Sequence, residues 1–135
     1  MFLIDTNVIS EVRRGGRANT GARRWMNDVD PETTFTSVIV FGELIRGVEL
    51  VKRRDLIQSA VLARWVRGIR DGFGTRVLPV DERVMETWAR ISVPNPLKGL
   101  DGLIGATALV HSLVVVTRNV SDFQKAGVPV LNPFD

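Results

Sequence analysis

The chain has no cysteine, which removes disulfides and thiolate metal sites and fits a cytoplasmic setting. Its one histidine, His111, falls near the end of an expected helix. A cation at that position suits the helix dipole, so His111 is assigned there and not to catalysis. No long hydrophobic run occurs. The longest apolar stretch, Leu100 to Val116, is broken by Asp101, His111 and several small residues, short of the ~20 residues a membrane helix needs. Met1-Phe2-Leu3-Ile4 meets Asp5 with no basic segment before it, so a signal peptide is not expected. Gly15-Gly16 stands outside any GxxxxGK[ST] pattern, which excludes a phosphate loop of that type. Internal repeats, low-complexity tracts and lipidation motifs are also lacking.

What is present is the composition of a folded protein. The 135 residues are 44% hydrophobic and 24% charged, room for one core and one domain covering residues 1–135. Eighteen Lys+Arg against 15 Asp+Glu leave a formal charge of +3. That excess is compatible with a polyanionic partner and equally with ordinary solubilising surface.

Short apolar runs alternate with amphipathic stretches, which predicts an α/β fold with a parallel sheet. Phe2 to Asp5 reads as a first strand passing directly into a helix that Arg13-Arg14-Gly15-Gly16 stops. A helix is expected over 19–27, then a strand over 33–37 with Ser37 capping the next helix, 38–51. There Phe41, Leu44, Ile45 and Val48 share one face. A long helix over 53–70 carries Leu56, Ile57, Ala60 and Val61, with Arg54, Arg64, Arg67 and Arg70 on its exposed side. After a short strand in 76–80, Asp81 caps a helix with core face Val84, Met85, Trp88 and Ile91. Trp25, Trp65 and Trp88 are expected as packing or interface anchors. The prolines of Pro94-Asn95-Pro96 force a loop. A helix over 100–111 places Asp101, Gly105 and Ala108 on a narrow face suited to close approach to the sheet. Leu113 to Val116 reads as a strand covered on both faces, and 128–131 as an edge strand.

Three carboxylates fall at the ends of these elements. Asp5 closes the first strand, Glu43 lies in the second turn of the helix after the second strand, and Asp101 opens the helix before the valine-rich strand. Ligand sites of open parallel sheets collect outside the carboxyl ends of the strands, so Asp5 and Glu43 belong near that edge. Asp101 joins them if the start of its helix reaches it. Gathered carboxylates resist ionisation, and a hard divalent cation with oxygen ligands offsets that cost while activating water and neutralising phosphoryl charge. Each acid also has a plain structural reading: Asp5 as a helix cap, Glu43 as a solvated residue opposite the apolar stripe, Asp101 as a complement to the helix dipole.

Four segments in register break the tie. Phe2-Leu3-Ile4-Asp5-Thr6-Asn7, Ser37 to Leu44 with Gly47, Asp101 to Ala108, and Thr117-Arg118-Asn119 through Asp122-Phe123 to Asn132-Pro133-Phe134 together resemble a PIN domain of the VapC-type toxins. The resemblance spans essentially the whole chain. It implies an α/β/α sandwich with a central, mostly parallel sheet, and Mg²⁺- or Mn²⁺-dependent endonucleolytic cleavage of RNA. Asp5, Glu43 and Asp101 match the three principal acidic positions, with Asp5 and Asp101 as direct metal ligands and Glu43 completing the shell or holding the attacking water. Asn7, Ser37 and Thr117 match pocket-lining polar positions. Where the family often has a fourth acid this chain has Asn119, and the nearest carboxylate is Asp122. Asn119 can act through its amide oxygen, and Asp122 is the alternative, unless it is only a turn residue. The resemblance further implies a homodimer neutralised by a small antitoxin, with an apolar face on the 53–70 helix pair suited to docking. The rival readings are a receiver-like phosphoacceptor module, which would want a late lysine such as Lys98 or Lys125 directly after a strand, and a catalytically silent PIN scaffold.

Overall fold

The computed structural model describes residues 1–135. Its sheet comprises β1 (Phe2–Ile4), β2 (Thr34–Ser37), β3 (Val77–Leu78), β4 (Val114–Val116) and β5 (Val130–Leu131). All four pairings are parallel, and the strand order is β3-β2-β1-β4-β5. The helices are α1 (Thr6–Val12), α2 (Thr20–Asp28), α3 (Val38–Lys52), α4 (Leu56–Phe73), α5 (Glu82–Ile91), α6 (Asp101–Val110) and α7 (Val120–Lys125).

The order explains why β1 and β4 are so apolar. Both lie in the middle of the sheet, where each face must be covered. Leu3, Ile4, Val115 and Val116 are fully buried, in one cluster with Val8, Val40, Ile104 and Phe123. Successive strands run outward from β1 to β3, and the chain then returns to lay β4 on the other side of β1. Neighbouring connections therefore diverge between β1 and β4, leaving a crevice at their carboxyl ends, the place where open α/β sheets put ligands.

Side-chain caps set the helix starts. Asp5, Ser37, Asp55 and Asp81 accept from the first-turn amides of α1, α3, α4 and α5. The predicted strand and helix order holds, with two corrections. The long helix begins at Leu56, because Asp55 and not an arginine is its cap. Asp122 lies in a short helix, α7, where a turn was the alternative. The glycines of α6 permit close approach to Trp88 and to the stretch before β5: a Cβ on Gly102 would stand 3.1 Å from Trp88, and one on Gly105 3.1 Å from Val128.

Several apolar positions expected in the core are exposed. Ile45 on α3 is 52% exposed, Leu56 and Ile57 on α4 are 69% and 77%, and Met85 on α5 is 41%. The faces turned inward are Val40-Phe41-Leu44-Val48 on α3 and Val84-Thr87 on α5. Trp25 stacks edge-on against Phe2, with ring centroids 5.1 Å apart. No helix is long and apolar enough to cross a membrane.

Candidate active site

Asp5 follows the last residue of β1 and is 3% exposed. Its backbone amide continues the sheet by donating to the Val116 carbonyl at 3.0 Å, which pins it beside the end of β4. The side chain caps α1, with Oδ1 accepting from the Thr6 amide at 2.8 Å. Oδ2 accepts from the Thr117 hydroxyl at 2.8 Å and from Asn7 Nδ2 at 3.3 Å. The capping reading of Asp5 therefore holds for Oδ1, while Oδ2 is held by Thr117 and Asn7.

Thr117, fully buried just past β4, is the hub of this network. Its Oγ1 also accepts from Asn7 Nδ2 at 3.1 Å and from the Asn119 amide at 3.0 Å. Asn7 Oδ1 in turn accepts the Arg118 amide at 3.1 Å. The loop after β4 is therefore stitched to the start of α1, and Asn119 Nδ2 reaches across to Asp101 Oδ2 at 3.3 Å. Glu43, expected on the solvent side of α3, is only half-exposed. Thr6 Oγ1 donates to its Oε1 at 2.6 Å, tying α3 to the start of α1. These bonds leave Glu43 Oε2 and Asp101 Oδ1 without hydrogen-bond donors.

The charges feel one another. Burial pushes the Asp5 carboxyl up to about 6. The Thr117 hydroxyl and the Thr6 amide oppose that rise, and the negative charges of Asp101 and Glu43 add to it. Asp101 is also raised, first by burial and then by Glu43, with Asn119 lowering it and Asp122 raising it again. Asp5, Glu43 and Asp101 therefore bear on one another, and Asp122 bears on Asp101. They do not close on one another: no three acidic or histidine side chains stand at the spacing of an assembled ligand set. The donors are all hard oxygen atoms, negatively charged and partly desolvated, and that set fits Mg²⁺ or Mn²⁺ and not a soft metal.

Other expected residues are placed as follows. Ser37 is fully buried at the end of β2, where its Oγ accepts the Ile39 amide at 2.9 Å and caps α3. That role fixes the helix bearing Glu43, and no bond from Ser37 reaches the acids. Asp122 stands in the first turn of α7, near enough for its charge to bear on Asp101. His111 is the exposed C-cap of α6, ~15 Å along that helix from Asp101 at ~1.5 Å per residue.

Two contributors were missed from the sequence. Thr6 has no role of its own in the sequence reading, although its place between Asp5 and Asn7 in the motif is a signal for one. Glu11 is 8% exposed at the far end of α1 and gathers Arg14 at 3.0 Å and Arg118 at 3.5 Å. Arg118 also lies over the Phe134 ring, 4.0 Å from its centroid, so the C-terminal stretch braces the loop holding Thr117 and Asn119.

Residues 2–128 match the family model described as PIN domain. The chain is 35% identical to the toxin FitB of Neisseria gonorrhoeae, with 99% of each chain covered. It is 30% identical to the VapC ribonuclease Y4jK of Sinorhizobium fredii, over 100% of this chain and 99% of that one. Among solved structures, that of FitAcB from Neisseria gonorrhoeae superposes with a TM-score of 0.88 at 36% identity, covering 98% of each chain.

Proposed function

The chain belongs to the PIN-domain family, and from that membership we propose that it is the toxin of a toxin–antitoxin pair, a metal-dependent endoribonuclease that hydrolyses RNA phosphodiester bonds. One observation carries the reading: Asp5, Glu43 and Asp101 bear on one another at the sheet's switch point and Asp122 bears on Asp101, with Asp5 and Asp101 raised above the ordinary carboxyl range. Uncompensated negative charge of that kind is a liability to a fold unless a cation answers it.

Asp5, Glu43 and Asp101 would hold Mg²⁺ or Mn²⁺, which would supply charge neutralisation at the phosphoryl group and a water of lowered pKa. The chain's own residues do the rest. Thr117, Asn7 and the Thr6 amide fix Asp5 so that its remaining lone pairs face the crevice. Thr6 orients Glu43 with Oε2 free to accept a proton from an attacking water or to steer it. Asn119, at the family's fourth acidic position, holds the Asp101 carboxylate, and Asp122 is the nearest acid that could take that position's role.

The neutralising partner we assign is a small antitoxin, and the oligomer a homodimer. Support comes from the apolar surface on the α3–α4 pair: Ile45, Leu50, Leu56, Ile57 and Val61 are all 44% exposed or more. Association buries such surface in soluble proteins. A cytoplasmic location is part of the same proposal, since that is where an RNA substrate would be met.

The receiver-like alternative fares worse. Such a fold has the order 2-1-3-4-5, whereas here it is β3-β2-β1-β4-β5, and neither Lys98 nor Lys125 directly follows a strand. The test is cleavage of a structured RNA by purified protein with Mg²⁺ or Mn²⁺. Activity should vanish with EDTA and fall at least about 100-fold in Asp5→Asn and Asp101→Asn, the scale of losing one transition-state electrostatic partner. EDTA-insensitive cleavage, or full activity in both variants, overturns the assignment.

A further inference from the structure

A nuclease whose centre is a knot of carboxylates must draw in a polyanion from somewhere else. Arg118, between Thr117 and Asn119, is committed elsewhere: its guanidinium is held by Glu11 at 3.5 Å and by the Phe134 ring. The arginines of α4 do not fill the gap. Arg67 and Arg70 line the groove with Phe41, Ile45 and Val48, on the apolar surface assigned to protein partners.

The cleft between the 91–98 loop and α7 is different. It holds about 410 Å³ and includes Pro94, Asn95, Leu97, Lys98, Asp122 and Lys125 in its lining, a size within the ~300–1,000 Å³ of small-ligand sites. Asp122 lines this cleft, and its charge also bears on Asp101, so the cleft lies beside the acid centre. Lys98 lies one turn before Asp101, and its carbonyl accepts the Asp101 amide at 3.2 Å. Lys125 lies one turn after Asp122 on α7. Each lysine is therefore tethered three residues from a site carboxylate, on opposite walls. Neither makes an ion pair, since both ion pairs of the structure go to Glu11.

We propose that this cleft is a subsite for the single-stranded RNA flanking the scissile bond. Lys98 and Lys125 each bind a backbone phosphate, and the Pro94–Leu97 wall packs against a base whose edge meets Asn95. The inference rests on the nuclease reading for its substrate. An extended single strand fits better than a duplex, because a base must leave its stack to enter a cleft of this size.

The test separates the two claims by measuring binding apart from cleavage. A labelled, mixed-sequence 20-nucleotide RNA is titrated by fluorescence anisotropy into the Asp101→Asn protein, with and without Lys98→Gln/Lys125→Gln, across a salt series. Loss of two phosphate contacts should weaken binding roughly tenfold and flatten the log Kd against log salt slope by about 1.4, at ~0.7 per contact on single strands. Lys98→Arg/Lys125→Arg should restore both, and Lys52→Gln, outside the cleft, should change neither. Unchanged affinity and slope in the double glutamine variant overturn the subsite, even where the wild type cleaves RNA. If those changes occur and the wild type cleaves no RNA, the subsite stands and the nuclease reading fails. A double glutamine variant that keeps RNA affinity but no longer binds its antitoxin would reassign the cleft to that protein.

Discussion

Asp5 shows how one residue can serve the fold and work against it. Its Oδ1 caps α1, a contribution on the order of 1 kcal/mol, while its burial among like charges makes ionisation unfavourable. A carboxyl ordinarily near 3.8 is raised to about 6 in the folded chain. Between those values the folded state holds a proton that the unfolded state has released, so folding stability falls as pH rises through that window and levels off above it. For metal-free protein the loss should be on the order of 2–3 kcal/mol. Asp5→Asn, which can still accept the Thr6 amide and cannot ionise, should remove most of it. Urea denaturation in EDTA at pH 4.5 and 7.5 reads this directly: wild type loses stability at the higher pH, and Asp5→Asn loses much less, the remainder coming from groups such as Asp101. Equal pH dependence in the two proteins would mean that Asp5 is not the strained group. The acidic positions stood out in the sequence because they fall at or near the ends of elements, and four segments in register, not their spacing, singled them out. Thr6 and Glu11 did not stand out, because hydroxyl and ion-pair roles depend on which elements meet.

At the scale of elements, caps and breakers made the boundaries readable, and periodicity misled about faces. Ser37 and Asp81 announce their helices, and Gly15 and Pro94 interrupt the chain where turns are found. Leu56, Ile57, Ala60 and Val61 have helical spacing, yet α4 turns Ser59 and Val66 inward and leaves that apolar set outside. Spacing reports that a helix has an apolar face, and it does not report whether the face meets the chain's own core or another molecule. The short α7 escaped notice because six residues give too little period to detect. The exposed set carries a prediction. Leu56→Glu/Ile57→Glu removes no core contact, so the variant should melt within a few degrees of wild type while light scattering shows dimer converted to monomer. A dimer of unchanged stability would place the interface elsewhere.

For the whole molecule, the decisive fact is the strand order, which no local pattern encodes. The sequence predicted ligand chemistry at the carboxyl edge of a parallel sheet. Only the fold shows that β1 and β4 are neighbours, joined where Asp5 donates to Val116 at 3.0 Å, so that residues 5, 7, 117 and 119 form one hydrogen-bonded unit. Glu43 and Asp101 reach that unit from α3 and α6 through Thr6 and Asn119. The crevice is therefore a property of the assembled sheet and its crossovers.

The most direct measurement of the account is calorimetric titration of Mn²⁺ into metal-free wild type, Asp5→Asn and Asp101→Asn. Wild type should show saturable binding, and each variant should bind at least about tenfold more weakly, since losing even an outer-sphere partner of a metal ligand costs ~10–100-fold. Saturable binding of equal strength in all three proteins, or none in the wild type, would contradict a cation held by these carboxylates.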